Sequence, residues 1–372
     1  MSLVDYFIRL CQIESPSRNE RAIADALTAD LRELGLEVEE DGSGAETGSN
    51  AGNLLARVPR REGVRPLQNG DTPTILLCAH MDTVPLTAPV EVVERDGRLE
   101  NRGEGILGAD NKAAVAVIME ALRRMGPEPP VGIEVLFTTC EEQALAGAKA
   151  FDQSKLGAEY GFVFDHATPI GELIVAAPTF YRIDADLHGH AAHAGIRPED
   201  GRNAIAAAAS AIARLELGRL DAKTTANVGR IEGGTAVNVV AERCHVELEA
   251  RSLDDTRAAE VAARIVDAFT EAASDSECDV ETVVEEQFRG YTLARTSPPV
   301  GLAAAALDAR GIEPRFINTG GGADANVFVN RGLQVLNVAN GTRNAHQPDE
   351  SVTVGALETM LDVVLEMIRL AP

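Results

Sequence analysis

Hydrophobic positions in the first half of the chain follow two alternating spacings. VDYFIRLCQI (4–13) and NERAIADALTADLRELG (19–35) carry apolar residues at helical intervals. Ser15, Pro16 and Ser17 break the first, and the second ends at Gly35. LEVEED (36–41) and NLLARVP (53–59) read as short strands joined by a Gly- and Asn-rich turn over 41–53. Residues 60–73 are polar, with Gly and Pro, and predict a surface loop. TILLCAHMDTVP (74–85), VGIEVLFTTCEE (131–142) and GFVFDH (161–166) are apolar runs ending in polar residues, the pattern of strands buried on both faces. Between them, ILGADNKAAVAVIMEALRRMG (106–126) and QALAGAKAFD (143–152) read as helices. Strands alternating with helices predict an α/β domain, a mostly parallel sheet flanked by helices.

The rhythm changes near residue 178. YRIDADLHG (181–189), TANVGRIEGG (225–234), RCHVELEARSLD (243–254) and CDVETVVEEQF (278–288) read as strands, the third with clean alternation. GRNAIAAAASAIARLEL (201–217) and DTRAAEVAARIVDAFTEAAS (255–274) read as helices. The order β-α-β-β-α-β is the ferredoxin-like arrangement, with two helices on one face and the other face or an edge strand free for a partner. After about residue 291 the α/β pattern resumes: a helix near 298–310, a strand at 314–318, the Gly-rich turn TGGGADAN (319–326), a strand LQVLNVA (333–339) and a closing helix over 354–370. The expected organisation is an α/β domain of residues 1–177 and 292–372, with an α+β ferredoxin-like domain of residues 178–291 inserted into it.

Size and charge narrow the function. A chain of 372 residues accommodates two domains, and 45% hydrophobic residues suffice for a core. A formal charge of −24 argues against nucleic acid or anionic membrane as partners, both of which need basic patches. The N-terminus lacks the pattern of a signal peptide, and no apolar run is long enough to span a membrane. Cys11, Cys78, Cys140, Cys244 and Cys278 are odd in number and form no CxxC pair, so they read as reduced thiols of a cytoplasmic protein.

The acids and histidines gather where such a fold keeps its ligands, outside the carboxyl ends of the strands. His80 and Asp82 end one buried strand, Glu141 and Glu142 another, and Asp165 a third; Asp110 stands at a helix start. Imidazole and carboxylate together suit zinc, and a carboxylate between two ions can bridge them. HMD alone reads more readily as a strand-end cap, and the paired Glu reads also as a solvated helix start favoured by the helix dipole.

With AHMDTVP, LGADNKAAVA, TTCEEQALAGAKAF, FVFD, GHAAHAG with PEDGRNAI, GGTAVNVVAE and NAHQPDE, the chain resembles the zinc exopeptidase family of peptidase T, carboxypeptidase G and the aminoacylases. The resemblance runs in order from about residue 3 to residue 368, and the spelling GHAAHAGIRPEDGRNAI is most similar to peptidase T-like tripeptidases. It implies two Zn2+ per subunit, with Co2+ or Mn2+ suiting the same ligands. One ion falls to His80 and Asp165, the other to Glu142 and His346, and Asp110 bridges. It implies Asp82 as the group orienting His80 and Glu141 as the general base that later returns the proton to the departing amine. It also implies a homodimer through the inserted lid domain, with His193 reaching across the interface to help stabilise the oxyanion. Asn238 and Arg251 match substrate-binding positions, and Arg251 could hold a peptide carboxylate in a bidentate pair; as a plain strand residue it would be salt-bridged. Gly321 and Gly322, in the triple-glycine turn, would let the backbone approach substrate, or simply make a tight turn.

Several residues depart from the family spelling. Cys140 replaces the usual Gln and, in an extended strand, would share a side with Glu142; a buried bystander is the plainer reading. Asn111 follows the bridging Asp, and His166 follows Asp165 but would face the opposite side of a strand. His188, His190 and His245 read as ordinary polar residues. Three functions follow as expectations: a dizinc aminopeptidase of small peptides, a deacylase of N-acyl amino acids using the same site, and a binding protein that has lost the chemistry. The last would lack a ligand or the base, and neither is missing.

Overall fold

The computed structural model describes residues 1–60, 74–126 and 129–371. The loop expected over 60–73 lies, from residue 61 on, outside them. The chain divides into two compact units: residues 1–176, 292–319 and 323–372, and residues 177–291 with 320–322.

The first unit is built on a mixed sheet. Its order is Val38–Glu40, Leu54–Val58, Gly132–Thr138, Thr74–His80, Tyr160–His166, Gln334–Ala339, Glu172–Ala177 and Tyr291–Thr292, with Arg315–Asn318 beside Glu172–Ala177. The central strands from Gly132–Thr138 to Gln334–Ala339 run parallel. Every residue of Gly132–Thr138 is buried, and so is every residue of Thr74–His80 after the first, as their continuous apolar spelling requires. The helix Ala109–Met125 is apolar on nearly all sides and packs against Leu3–Cys11, Val354–Leu370 and the strands Thr74–His80 and Tyr160–His166. The α/β class read from the sequence is therefore correct.

Some local expectations need correction. The strand ends at Thr138, and Cys140, Glu141 and Glu142 lie in a turn beyond it. Cys140 has φ 49°, so strand alternation does not place its side chain with that of Glu142. The helix after this turn is short, Ala146–Ala150. The Gly-rich segment passes directly into a helix, Asp324–Asn330. A short helix, Gly44–Thr47, interrupts the expected loop over 41–53. Several strands were not expected, among them Val92–Arg95, Arg98–Asn101 and Ser351–Thr353, which form a small antiparallel sheet, and Glu172–Ala177.

The second unit is an antiparallel sheet in the order Gly218–Arg219, Thr224–Gly233, Arg243–Ser252, Thr179–His188, Asp279–Phe288. The helices Ala204–Arg214 and Asp255–Asp275 share its core, where Ala207, Ala211, Ile265 and Phe269 meet Ile183, Leu187, Val246 and Leu248. In Arg243–Ser252, burial alternates residue by residue, as its sequence predicts for a one-sided sheet. The intervening residues carry charge: His245 pairs with Asp186 at 2.9 Å, while Arg182 and Arg230 neutralise Asp184 and Glu247.

Candidate active site

His80, the last residue of Thr74–His80, points Nε2 toward Asp110 Oδ1 at 3.4 Å and Asp165 Oδ1 at 3.5 Å. His346 lies in the loop before Ser351–Thr353; its Nε2 meets Glu142 Oε1 at 2.7 Å and Asp110 Oδ2 at 3.4 Å. Asp110 thus turns one oxygen to each histidine. Its backbone is not helical (φ −82°, ψ 105°), so it stands out from the first turn of Ala109–Met125.

This geometry suits cations. Ligands at about 2.0–2.2 Å around a tetrahedral ion stand about 3.3–3.6 Å apart, the spacing at His80. The groups His80–Asp110–Asp165 and Asp110–Glu142–His346 could each hold a metal ion, with Asp110 common to both. Asp110 Oδ1 is buried and accepts no hydrogen bond, an open valence of the kind a metal fills.

Asp82 sits just outside. Its Oδ1 is 3.4 Å, and its backbone carbonyl 3.1 Å, from His80 Nδ1, leaving Nε2 to face the acids. The same carboxylate accepts the amides of Glu141 at 3.0 Å and Glu142 at 3.3 Å, and the Ser17 hydroxyl at 2.6 Å. One side chain therefore sets both a histidine and the paired glutamates.

The electrostatics are strongly coupled. Burial alone would lower the His80 pKa, yet the Asp165 charge and the carboxylates of Asp110 and Asp82 hold it well above the ordinary range. His346 is raised to about 10 by its hydrogen bonds to Asp110 and Glu142. Against the pull of burial, those two imidazoles hold the Asp110 carboxyl well below its usual value. Burial raises Asp165 and Glu142. Glu141 is pushed well above the carboxylate range, first by burial and then by the Asp165 charge. An acid so displaced beside an ordered ligand cluster is a candidate for proton transfer.

Three supporting residues were not singled out in the sequence. Glu350 accepts the amides of Leu107, Gly108 and Asp110 at 2.8, 2.7 and 2.8 Å. Asn337 clamps Asp165 by both backbone groups, accepting its N–H at 3.0 Å and donating to its carbonyl at 2.9 Å. Ser17 buttresses Asp82. Only Glu350 had a sequence signal, standing four residues after His346 in NAHQPDE.

The remaining candidates belong to the second unit. His193 and Asn238 are exposed on two loops that pair through their backbones, Ala194 N to Asn238 O at 3.0 Å and Val240 N to Ala192 O at 2.9 Å. Arg251 stacks on the Phe180 ring at 4.1 Å and donates to Glu249 at 3.0 Å and to the Gly320 carbonyl at 3.2 Å. Gly321 adjoins that carbonyl. Gly322 packs so closely on Phe288 that a Cβ would lie 2.3 Å from Cζ, which accounts for glycine there without any ligand. His166, half-buried at the end of Tyr160–His166, joins neither ligand group.

Residues 76–370 match the model of the peptidase family M20/M25/M40. The chain belongs to that family. It is thus a hydrolase of the exopeptidase class. It is 36% identical over 369 residues to the protein YqjE of Bacillus subtilis strain 168, covering 99% of this chain and 97% of that one. Among solved structures, it is similar to aminopeptidase PepT from Bacillus cereus ATCC 10987, with TM-score 0.86 and 36% identity over 99% of this chain and 97% of the other. A tripeptidase from Staphylococcus aureus subsp. aureus Mu50 gives TM-score 0.91 and 32% identity over the same shares. The resemblance to peptidase T-like enzymes read from the motifs is therefore correct.

Proposed function

We propose that the chain is a two-metal aminopeptidase of small peptides, most naturally tripeptides. The observation that carries this reading is Asp110, whose two oxygens face two separate His–carboxylate groups. His80 and Asp165 would hold one divalent cation, Glu142 and His346 the other, with Asp110 between. Zinc suits these donors, and cobalt or manganese also fits. Such ions would supply Lewis acidity and lower the pKa of a bound water. Glu141 takes a proton from that water as it attacks the scissile carbonyl, then returns it to the departing amine nitrogen. Asp82 keeps His80 oriented and fixes the backbone from which Glu141 projects. The aminopeptidase and tripeptidase names of the two solved relatives support the peptide substrate.

The second unit would act as lid and dimerisation domain. His193, Asn238 and Arg251 would contact substrate there, with Gly321 and Gly322 shaping the backbone beside it. Its exposed Ile231, Val237, Val283 and Val284 support assembly of two copies; analytical ultracentrifugation checks this, a monomer at micromolar concentration counting against it. We place the protein in the cytoplasm, where its five cysteines, all buried and unpaired, would stay reduced. No helix among the described residues is long and apolar enough to cross a membrane.

The test compares untreated, chelated and zinc- or cobalt-restored protein on trialanine and on N-acetylalanine. Trialanine cleavage that disappears on chelation and returns with metal supports the reading. Full activity after chelation overturns it, and a strong preference for N-acetylalanine turns it into a deacylase. Glu141→Gln should keep its metal and lose about 10²–10⁴-fold in kcat.

A further inference from the structure

The turn that carries Glu141 and Glu142 is gripped from outside at four successive amides. Thr139 N–H donates to Asn53 Oδ1 at 3.0 Å, and Cys140 N–H to Glu20 Oε1 at 3.0 Å. Glu141 and Glu142 donate to the two oxygens of Asp82. None of these acceptors is local; Glu20 and Asn53 lie 120 and 86 positions away in the chain. Glu20 and Asn53 are fully buried.

Glu20 is conspicuous among them. It occupies the N-cap position of the helix Arg21–Glu33 but makes no side-chain cap there. Its carboxylate instead spans two loops. Oε1 takes both the Cys140 amide and, at 3.2 Å, the Cys140 thiol, while Oε2 takes the Ser49 hydroxyl at 2.5 Å. Cys140, Ala144 and Leu145 all adopt positive φ. Non-glycine residues hold such a conformation only where surrounding contacts determine it. Ala146 N and Gln143 N close the turn onto the Cys140 carbonyl, at 3.0 and 3.3 Å. The clamp on Cys140 therefore lies at the pivot from which both glutamates project.

We infer that Glu20 is a positioning residue for peptide hydrolysis, holding the Cys140 pivot so that the Glu141 carboxylate is aimed at the reacting water. The inference rests on Glu141 being the general base. It also gives Cys140 a place: its thiol is a donor to Glu20.

The test uses full-length, zinc-loaded protein carrying Glu20→Ala, Glu20→Gln or Glu141→Gln, assayed on trialanine, with thermal melting and mapping of Cys140 alkylation by iodoacetamide. For Glu20→Ala the expectation is a folded protein with kcat down about 100-fold, the cost of a misplacement of about 1 Å. KM should stay within about twofold, since uniform binding is untouched, and Cys140 should become alkylated. Glu20→Gln keeps an oxygen for Cys140 and an amide for the Ser49 hydroxyl, so it should recover kcat to within about fivefold of the parent. If Glu20→Ala does not fold, Glu20→Asp, shorter by one methylene, is read in the same way. A folded Ala or Asp variant with unchanged kcat overturns the inference, as does a Gln variant as slow as Ala. If Glu141→Gln still loses activity in that case, the function stands and only the role of Glu20 fails. If Glu141→Gln stays active, the base assignment itself fails.

Discussion

Glu350 Oε1 accepts the backbone N–H of Asp110 at 2.8 Å, while Oε2 holds the amides of Leu107 and Gly108. The candidate bridging carboxylate is thus suspended from a second, buried carboxylate 240 positions away in the chain. Replacing Glu350 by Ala would orphan three buried donors, each costing about 1–3 kcal/mol. The expected loss is about 3 kcal/mol or more in urea denaturation. Metal affinity, read by competition with a chromophoric chelator, should fall about 10–100-fold, as for other groups that orient ligands. Unchanged affinity in a folded variant would show that Asp110 needs no such support.

How much of this was legible in the sequence depends on range. The resemblance singles out His80, Asp110, Glu142, Asp165 and His346 because each stands in a well-spelled motif, and the fold brings these five side chains together. The partners that hold them were hidden. Glu20, Asn53 and Asn337 stand in segments whose spelling carries no chemical signal, and what ties them to the site is hydrogen bonding to distant backbone. Cys140 was misplaced by extending strand periodicity past Thr138, where a positive-φ turn takes over. Short polar strands such as Val92–Arg95 and Ser351–Thr353 carry too few residues to show a period. The substrate-side residues remain resemblance-based, because their nearest contacts, such as Phe288 on Gly322, are structural.

His346 should betray its site by proton release. Its folded pKa of about 10 exceeds the ordinary 6.5 because Asp110 and Glu142 hold the imidazolium. For a raised basic group, the stabilisation of the metal-free protein is fully present below pH 6.5 and is lost as pH climbs toward 10. The side chain is 44% exposed, so solvent screens the effect. Metal binding requires neutral imidazole and must expel this proton. Calorimetric titration of zinc at pH 8, in buffers of differing ionisation enthalpy, should show net proton release. His346→Ala should lower it by about one proton per chain. Equal release from both proteins would count against His346 as a ligand.

Gly147 is a steric keystone of the same turn. A Cβ there would lie 1.9 Å from the Thr139 carbonyl oxygen and 2.8 Å from Asn53 Oδ1, both backed by buried structure. Gly147→Ala should therefore push Thr139 and Asn53 apart, costing about 3 kcal/mol by overpacking. Because Thr139 leads into the glutamate turn, kcat should fall with stability even at temperatures where the variant is fully folded. Circular dichroism melts paired with peptide cleavage at 15 °C separate the two effects. A variant as stable as the parent would mean the loop relaxes freely.

Asp324 supplies a prediction of opposite sign from the usual salt-bridged acid, whose pKa is depressed. Its Oδ2 accepts the Thr138 hydroxyl at 2.5 Å, while Oδ1 is buried without a partner. Burial pushes its pKa up to about 7, and the charges of Asp165 and Asp82 add to this, outweighing the Thr138 bond and the His80 charge. Between the ordinary value of 3.8 and about 7, the folded state holds the proton more tightly than the unfolded chain does. Stability should therefore fall as pH rises through that window. Asp324→Asn keeps the shape and an oxygen for Thr138 but removes the charge. In chelator-treated protein at pH 8 it should be more stable than the parent, on the order of 2–4 kcal/mol, and most of the gap should have closed by pH 4.5. Urea denaturation at the two pH values decides the matter: a gap of constant size would mean that the carboxylate is already stabilised by something other than its proton.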